Sequence, residues 1–385
     1  MEVVKNLVEI ISFMCNSEFW RMAMLWTLSL ISSYMSLFYQ TLFPQESRCY
    51  PRCSLKDSTF VSPFVDRPIC IITGATSGLG AAAAHALAKE GFYVVLVGRS
   101  SEFLSQAVSE IKSRNPDAYL KAFKVDLSSF ESILEFKHSL GQWLHDSNMH
   151  PSVQLLLNNA GILATSRRVT SEGYDQMLAM NYIGAFCLTK VLRPLLENSV
   201  VPSRVVNVSS FTHRNVCCRH ADTETISGKF FMKSKYYPYA SIYEYSKLCI
   251  LLFSYELHRK VGLTKKSHHL SIVAADPGAV KTNIMREIPS FVSTMAYTAM
   301  KLLGVLQSSE TGVNAIVDAA LAPPEVSGVY FFGGRGRSLN SSALSYDAGL
   351  AKDLWDASCG LFEELQEAAR QDGNCAARTD DIRDK

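Results

Sequence analysis

The chain has 385 residues, of which 48% are hydrophobic and 19% are charged. This length accommodates one large α/β domain with additional segments at its ends, and the apolar fraction is sufficient for a sizeable core. The formal net charge is +2, from 38 basic and 36 acidic residues, and this balance argues against the basic surface that nucleic-acid binding requires. The ten cysteines show no metal-ligand spacing, so no metal site is predicted and the thiols of the main domain are expected to be reduced.

The N-terminal region contains a long apolar stretch without a charged residue, residues 22–43. A helix of this length can cross the hydrocarbon core of a bilayer, and Trp20 and Tyr39 lie near its ends, as interfacial anchors do. The stretch is therefore predicted to be a single-pass membrane anchor. A cleaved signal peptide and a helix packed on the domain are the two alternatives. Residues 1–21 are expected to form an apolar interfacial segment, and the distribution of basic residues favours a cytosolic main domain.

The rest of the chain divides by composition into a linker, one domain and a tail. Residues 44–67 mix proline, serine, cysteine and charge and are predicted to be a linker. Residues 68–370 are predicted to form the main domain. Residues 371–385 are polar and highly charged and are expected to be disordered.

Residues 68–370 show alternating strand and helix patterns. Helical patterns such as Ala81–Glu90, Ser101–Arg114 and Ser129–His145 separate most of the strands. Continuous apolar strands joined by helical crossovers indicate an α/β fold with a doubly wound parallel β-sheet, the Rossmann arrangement. The predicted strands are Ile69–Thr73, Tyr93–Val97, Leu120–Val125, Val153–Leu157, Val205–Val208, Leu270–Ala274 and Val329–Phe332.

The first predicted strand runs into a glycine-rich turn that is followed by a helix. Glycines let the backbone approach a pyrophosphate, and the helix N-terminus supplies N–H donors and a favourable dipole. The spacing is T-G-x-x-x-G-x-G rather than G-x-G-x-x-G, and it resembles that of the short-chain dehydrogenase/reductase family. The predicted cofactor-binding residues of this turn are Thr73, Gly74, Ser77, Gly78, Leu79 and Gly80.

The residue after the second strand bears on the choice of nucleotide. Enzymes that use NAD usually place an acid here to bind the ribose 2′-hydroxyl, whereas this chain has Arg99. A guanidinium can pair with a 2′-phosphate, so NADP(H) is the predicted cofactor, and a solvent-facing Arg99 without a ligand is the alternative. The family resemblance adds Asp126 and Leu127 as the pair that contacts the adenine.

A Tyr-x-x-x-Lys pair, Tyr243 and Lys247, follows these landmarks in the order that the family shows. Residues four apart share one face of a helix, whereas Tyr245 faces elsewhere. A free tyrosine has a pKa near 10, which a nearby ammonium lowers. The resemblance implies that Tyr243 is the general acid/base and that Lys247 also bonds the nicotinamide ribose.

The same resemblance implies roles for two other polar side chains. Ser210, the second serine of the pair at the end of the fifth strand, is predicted to hydrogen-bond the substrate oxygen, and Ser209 to shape the strand end. Asn181 is predicted to hold a proton-relay water. His213 and His220 are expected to be ordinary surface or loop histidines, and the conformation of the insert between Ser210 and Tyr243 is left open.

Two further motifs match the family's cofactor contacts. Asn158-Asn159-Ala160-Gly161 follows the fourth strand, and the resemblance implies that it braces the sheet beside the cofactor. Asp276-Pro277-Gly278-Ala279-Val280-Lys281-Thr282 follows the sixth strand and matches a turn that contacts the nicotinamide end. The predicted cofactor contacts from these motifs are Asn159, Ala160, Gly161, Pro277, Gly278, Val280 and Thr282.

The resemblance covers roughly residues 68–332, and the segments VNVSSFTH and MNYIGAF are similar to the retinol dehydrogenase branch. That branch includes the "member on chromosome X" type and the Tic32-like plastid-envelope proteins. It implies a lipid-like substrate such as a retinoid or polyprenoid. The apolar segment Phe291–Leu306 would form a lid over such a substrate; a helix buried against the domain or a dimer partner is the alternative.

Two functions follow from these patterns. The first is an NADP(H)-dependent oxidoreductase that interconverts a hydrophobic alcohol and its carbonyl compound at a membrane. The second is a catalytically quiet NADP(H)-binding sensor or scaffold, which the complete set of predicted catalytic residues disfavours. The endoplasmic reticulum is the first expected location and the plastid envelope the second. A homodimer and a monomer both remain open.

Overall fold

The computed structural model describes residues 17–43, 49–55, 65, 67–263 and 270–383. Most of the predicted interfacial segment, residues 1–16, lies outside the described residues. The strands of the described chain are β1 (Ile69–Thr73), β2 (Tyr93–Gly98), β3 (Tyr119–Lys124), β4 (Leu155–Asn158), β5 (Ser203–Val208), β6 (Leu270–Asp276) and β7 (Val329–Phe332).

These strands form one parallel sheet in the order β3-β2-β1-β4-β5-β6-β7. The order reverses between β1 and β4, which is the switch point where doubly wound sheets bind their ligands. The central strands are buried on both faces, as β1 shows along its whole length, because helices cover the sheet on both sides. The predicted α/β doubly wound fold is confirmed.

The helices follow the strands in the alternating pattern that the sequence predicts. Serine side chains cap two of them, since Ser100 accepts a hydrogen bond from the amide of Phe103 and Ser129 accepts one from the amide of Ser132. The longer helices are α1 (Ser17–Leu42), α2 (Gly78–Glu90), α3 (Ser101–Arg114), α4 (Phe130–Asp146), α5 (Gly184–Glu197), α6 (Tyr239–Gly262), α7 (Ser290–Leu302), α8 (Asn314–Ala320) and α9 (Ala348–Arg383).

Shorter helical turns connect these elements and form the insert between Ser210 and Tyr243. That insert contains a 3₁₀ turn and two single-turn helices. The turns are Gln176–Leu178, the π-helical Ala179–Ile183, Phe211–Asn215, Thr223–Ile226, Lys229–Met232, Asn283–Met285, Ser309–Gly312 and Ala343–Tyr346.

The core lies in two layers, one on each face of the sheet. Successive side chains of a strand point to opposite faces, so Ile69 and Ile71 enter one cluster and Cys70 and Ile72 enter the other. The first cluster contains the buried face of α6, and the second contains residues of α2 and α8. The sheet is therefore held rigidly from both sides, which fixes the loops at its carboxyl edge.

Helix α1 begins five residues before the predicted membrane anchor and is long and apolar enough to cross a membrane. One face of it packs on the main domain. Met22, Leu30 and Leu37 are buried there at helical spacing, while Met35 and Phe38 on the opposite side are exposed. The helix thus combines an apolar exposed face with a face that belongs to the domain.

Two terminal regions are more ordered than their composition predicts. In the predicted linker, Arg52 forms an ion pair with the buried Asp318, at 2.6 Å, and the Tyr50 amide donates to the carbonyl of Gly336. Helix α9 continues to Arg383, so most of the segment expected to be a disordered tail is helical. The alanines and arginines of this segment are good helix formers, which a prediction based on charge density overlooks.

Candidate active site

A cleft runs along the carboxyl edge of the sheet across the switch point between β1 and β4. It gathers nearly all of the predicted site residues from loops that are far apart in sequence. The predicted residues that line it are Gly74, Ser77, Gly78, Leu79, Gly80, Arg99, Leu127, Asn159, Ala160, Gly161, Ser210, Tyr243, Lys247, Pro277, Gly278, Val280 and Thr282.

Three predicted residues stand apart from the lining of this cleft: Thr73, Asp126 and Asn181. Thr73 and Asn181 support residues that do line it. Asp126 instead accepts hydrogen bonds from the amide and hydroxyl of Ser128, at 2.9 and 2.6 Å. Its neighbours Val125 and Leu127 contribute to the lining, so the carboxylate of Asp126 orders the turn after β3.

The glycine-rich turn has the close packing that a phosphate cradle requires. Gly74 and Gly78 have positive φ angles of 64° and 54°, which favour glycine. A Cβ at Gly80 would lie 2.1 Å from the carbonyl oxygen of Gly74. The turn therefore admits only glycine at this point, and it places the N-terminus of α2 at the cleft, where backbone N–H groups can bind a pyrophosphate.

The motif after β4 is tied to this turn through Thr73. The Thr73 hydroxyl accepts hydrogen bonds from the amides of Asn159 and Ala160, at 2.9 and 3.0 Å, and donates one to the carbonyl of Leu157. The side-chain amide of Asn159 donates to the carbonyl of Thr73, at 2.9 Å. Thr73 thus holds β1 and β4 together at the floor of the cleft.

Arg99 lies at the end of β2 on the rim of the cleft and is exposed. Gly98 precedes it, and a Cβ at Gly98 would come within 2.9 Å of Thr76. The backbone at Gly98, just before Arg99, therefore passes close to the glycine-rich turn. A guanidinium in this position can reach a phosphate bound beside Thr76 and Ser77, both of which line the cleft.

Tyr243 and Lys247 lie one turn apart on α6, and Lys247 Nζ is 5.7 Å from the centre of the Tyr243 ring. Burial lowers the pKa of Lys247 to about 8. Burial raises the pKa of Tyr243, and the negative charge of Asp276 adds to this, while a hydrogen bond with Ser210 opposes it. In the protein alone Tyr243 is therefore a phenol, which is the form that can donate a proton to a carbonyl oxygen.

The two serines after β5 have different surroundings. The Ser209 hydroxyl donates to the backbone carbonyl of Lys247, at 3.0 Å, and so ties β5 to α6. Ser210 lies at the junction of the cleft with a second, apolar cavity, and its side chain interacts with Tyr243. Of the two serines, Ser210 is therefore the one that also lines the apolar cavity.

His213 lies in the 3₁₀ turn after Ser210, so it is a loop residue, as one of the two expected alternatives had it, but it is not at the surface. It is 1% exposed, and its Nδ1 lies 2.6 Å from the carbonyl of Ser210. The amide of Ser342 donates to its Nε2, so Nδ1 carries the proton and donates to Ser210. Burial lowers the pKa of His213 to about 3, which keeps the ring neutral. His220 is exposed, as expected.

Asn181 lies in the π-helical turn before α5, an irregularity that is frequent at functional sites. Its Oδ1 accepts from the amide of Ile162, at 2.8 Å, and its Nδ2 donates to Ser246 and to the carbonyl of Ile162. A Cβ at Gly161 would lie 3.4 Å from Asn181 Oδ1 and 3.6 Å from Lys247 Nζ. Gly161 therefore leaves space between these two polar groups.

Asp276 is a buried carboxyl group of the site whose role the sequence did not predict. Its two oxygens accept from the amide of Gly278, at 2.8 Å, and from the hydroxyl of Tyr330, at 2.5 Å. Burial raises its pKa. It fixes the Pro277-Gly278 turn against β7 and lines the cleft near Lys247. Its partner Tyr330 lies in β7, which contains no recognisable motif.

A second cavity of about 460 Å³ opens beside Ser210 and Tyr243. Its walls are almost entirely apolar. They come from α1 on one side, through Ala23, Trp26 and Leu30, and from the lid segment that contains α7 on the other. The volume is in the range of pockets that enclose a small organic ligand. The site thus has a polar cleft that suits a dinucleotide and an apolar cavity that meets it at Tyr243.

Comparisons with known proteins agree with this arrangement. A profile of the family described as short chain dehydrogenase matches residues 68–218. Human polyprenol dehydrogenase is 31% identical over 312 residues, which are 78% of this chain and 88% of that protein. The chain belongs to the short-chain dehydrogenase/reductase family. Members of this family are oxidoreductases that bind a nicotinamide cofactor, and the sequence-based family prediction is confirmed.

Other relatives confirm the branch. Short-chain dehydrogenase TIC 32 A, chloroplastic, of Brassica napus is 29% identical, with 77% of this chain and 88% of that protein covered. Human retinol dehydrogenase 13 is 28% identical, with 76% and 83% covered. Among solved structures, an uncharacterized protein from Mycobacterium paratuberculosis superposes with a TM-score of 0.58 at 25% identity, covering 81% of this chain and 98% of that one.

Proposed function

We propose that the protein interconverts a long apolar alcohol and its aldehyde or ketone with NADP(H), using Tyr243 as the general acid/base. The apolar cavity that opens on Ser210 and Tyr243 is the observation that carries this proposal. A cavity with apolar walls binds a hydrocarbon chain by burial of its surface. Retinoids and polyprenoids, which the names of the relatives indicate as substrates of those proteins, belong to this chemical class.

NADP(H) is proposed over NAD(H) because of Arg99. No carboxylate follows Gly98 at the end of β2 to accept a hydrogen bond from a ribose 2′-hydroxyl. Arg99 instead presents a cation on the rim of the cleft beside Thr76 and Ser77. A 2′-phosphate carries the complementary charge.

The chemistry follows from the protonation states of the site. The bound nicotinamide supplies the hydride. In the reductive direction the phenol of Tyr243 gives its proton to the carbonyl oxygen, and the Ser210 hydroxyl hydrogen-bonds that oxygen while negative charge develops on it. Lys247 supplies positive charge beside Tyr243 and stabilises the phenolate that remains on Tyr243 once its proton has left. One hydride and one proton thus convert the carbonyl into an alcohol.

Membrane attachment is proposed through α1, by its exposed apolar face. Met24, Leu28, Met35 and Phe38 on that face are all more than half exposed, and an apolar surface of this kind is stable in contact with lipid. On the lid, Met295 and Leu302 are also exposed. The endoplasmic reticulum and the plastid envelope are the two proposed compartments, in that order.

The experiment uses the full-length protein in detergent micelles with retinal and polyprenal as substrates. NADPH and NADH consumption are followed by absorbance. We expect turnover with NADPH, and a loss of at least about 100-fold in Tyr243→Phe because the proton donor is removed. Tyr245→Phe is the matched control, since the Tyr245 hydroxyl donates to His220 on another side of α6; it should retain wild-type turnover. Tight NADPH binding without turnover of any carbonyl or alcohol would favour a sensor or scaffold instead.

A further inference from the structure

Helix α1 contacts the catalytic part of the protein along much of its length. The Ser29 hydroxyl donates to Asn215 Oδ1 at 2.6 Å, and Asn215 ends the 3₁₀ turn that follows Ser210. Further along, Gln307 donates to the Tyr34 hydroxyl and to the carbonyl of Pro277, both at 3.0 Å. The helix therefore touches both the serine loop and the Pro-Gly turn, which are parts of the cofactor cleft.

Glu244, the residue after Tyr243, binds two side chains of α1. Glu244 is 1% exposed, and its carboxylate accepts from the indole Nε1 of Trp26 at 2.7 Å and from the guanidinium of Arg21 at 3.1 Å. A buried carboxylate needs such partners, because removing them leaves an uncompensated charge. These bonds fix the first half of α1 to α6 beside Tyr243.

The hydrogen bonds of Glu244 also fix the position of the Trp26 ring. It lies 5.4 Å from the Tyr243 ring, centre to centre, at an interplanar angle of 39°. The same side chain lines the apolar cavity together with Ser210 and Tyr243. Trp26 is thus a large apolar surface in contact with the proposed proton donor, on the side where substrate would enter.

We infer that Trp26 is a specificity-determining residue of the active site and that Glu244 is the positioning residue that holds it there. This inference rests on the proposed function, since it assigns to Trp26 the wall against which the apolar chain of the substrate packs. Helix α1 then has two faces with different tasks: the outer face contacts lipid, and the inner face completes the substrate cavity. A short substrate that reaches Tyr243 without extending along α1 does not need this wall.

The test compares two aldehydes with the same reacting group, prenal and farnesal, in the full-length protein in detergent micelles. Trp26→Ala should raise KM for farnesal by about tenfold, because a buried aromatic wall is lost, and change KM for prenal by less than about twofold. The affinity for NADPH should stay within about twofold, since Trp26 does not line the cofactor cleft. Equal changes for both aldehydes would mean that Trp26 acts only through Tyr243 and would overturn the inference.

Phe38→Ala is the matched control on the same helix. Phe38 is 66% exposed on the outer face and lies outside the residues that line the cavity. It should therefore leave both KM values at wild-type level. A similar loss of farnesal selectivity in Phe38→Ala would mean that micelle contact, not the cavity wall, controls the effect.

The role of Glu244 is tested by a double-mutant cycle. If Glu244 acts by holding Trp26, then Glu244→Ala should reproduce the farnesal-specific rise in KM, and Trp26→Ala/Glu244→Ala should show no further rise. Additive effects would overturn the positioning role. Trp26→Phe provides a milder variant that keeps a ring but lacks the indole N–H. It should lose part of the selectivity, and wild-type selectivity in this variant would show that the bond to Glu244 is dispensable.

A binding measurement separates this inference from the proposed function. If the wild-type protein turns over neither these two aldehydes nor retinal or polyprenal, the proposed function fails. Equilibrium dialysis with tritiated farnesol then measures, without turnover, whether Trp26 contributes to binding of the apolar chain. Trp26→Ala should bind farnesol about tenfold more weakly than wild type, for the reason given for farnesal. Equal binding would overturn the inference on its own.

Discussion

The substitution Gly80→Ala tests whether the glycine-rich turn is the phosphate cradle. The added Cβ would lie 2.1 Å from the Gly74 carbonyl oxygen and 2.6 Å from Asn159 Nδ2, against a lower limit of 3.4 Å for ordinary contact. The turn must therefore move by more than an ångström, and the backbone N–H groups at the start of α2 move with it. Loss of two charge-assisted hydrogen bonds, at about 1.5 kcal/mol each, gives about 3 kcal/mol, which weakens NADPH binding by about 100-fold.

The assay is a fluorescence titration of NADPH against the full-length protein in micelles. Gly141→Ala is the control, because Gly141 lies in α4 with no atom within 4 Å of an added Cβ. It should leave Kd for NADPH unchanged and stabilise the fold by about 1 kcal/mol or less, since alanine favours helix. If Gly80→Ala binds NADPH within about threefold of wild type, the turn is not the cradle and the reasoning is refuted.

Three further substitutions test the cofactor choice, the floor of the cleft and the buried histidine. Arg99→Ala should raise Kd for NADPH by about 30-fold through loss of one charge-assisted contact, with Kd for NADH nearly unchanged; equal changes would contradict a 2′-phosphate site. Thr73→Val removes the acceptor of the partly buried Ala160 amide, while the Asn159 amide keeps the carbonyl of Leu157; it should lower the free energy of unfolding by about 1 kcal/mol in denaturant titrations, whereas Thr73→Ser should stay near wild type. His213 has its pKa lowered to about 3 by burial, so the unfolded chain binds a proton that the fold excludes. The free energy of unfolding should then fall by up to about 1.4 kcal/mol per pH unit as the pH drops from 6.5 towards 3, and a His213→Gln variant with the same pH slope would contradict this.

The sequence predicted those parts of the protein that depend on neighbouring residues. Strands β1 and β7 have the predicted bounds, and the ends of the other strands differ from the prediction by at most two residues. The phosphate turn and the Tyr-x-x-x-Lys pair could be recognised because each motif is contiguous and its spacing is set by one turn or one helix. The fold class followed from the alternation of strands and helices.

Contacts between residues far apart in the sequence could not be predicted. The bond from Trp26 to Glu244 joins residues 218 positions apart, and Glu244 occupies a position that the Tyr-x-x-x-Lys motif leaves unspecified. Length, apolar composition and flanking aromatics predicted a membrane anchor over residues 22–43, but hydropathy does not distinguish a face that contacts lipid from a face that contacts protein. The burial of His213 was not predicted, because the contact that the ring makes with the amide of Ser342 joins residues 129 positions apart.

Transfer of deuterium from NADPH labelled on its nicotinamide ring tests the central proposal most directly. The full-length protein in micelles would be incubated with the labelled cofactor and farnesal, and the product analysed by mass spectrometry. We expect farnesol that carries one deuterium at the former carbonyl carbon with wild-type protein, and none with Tyr243→Phe. Tight binding of NADPH without labelled alcohol, or equal labelling with Tyr243→Phe, would contradict it.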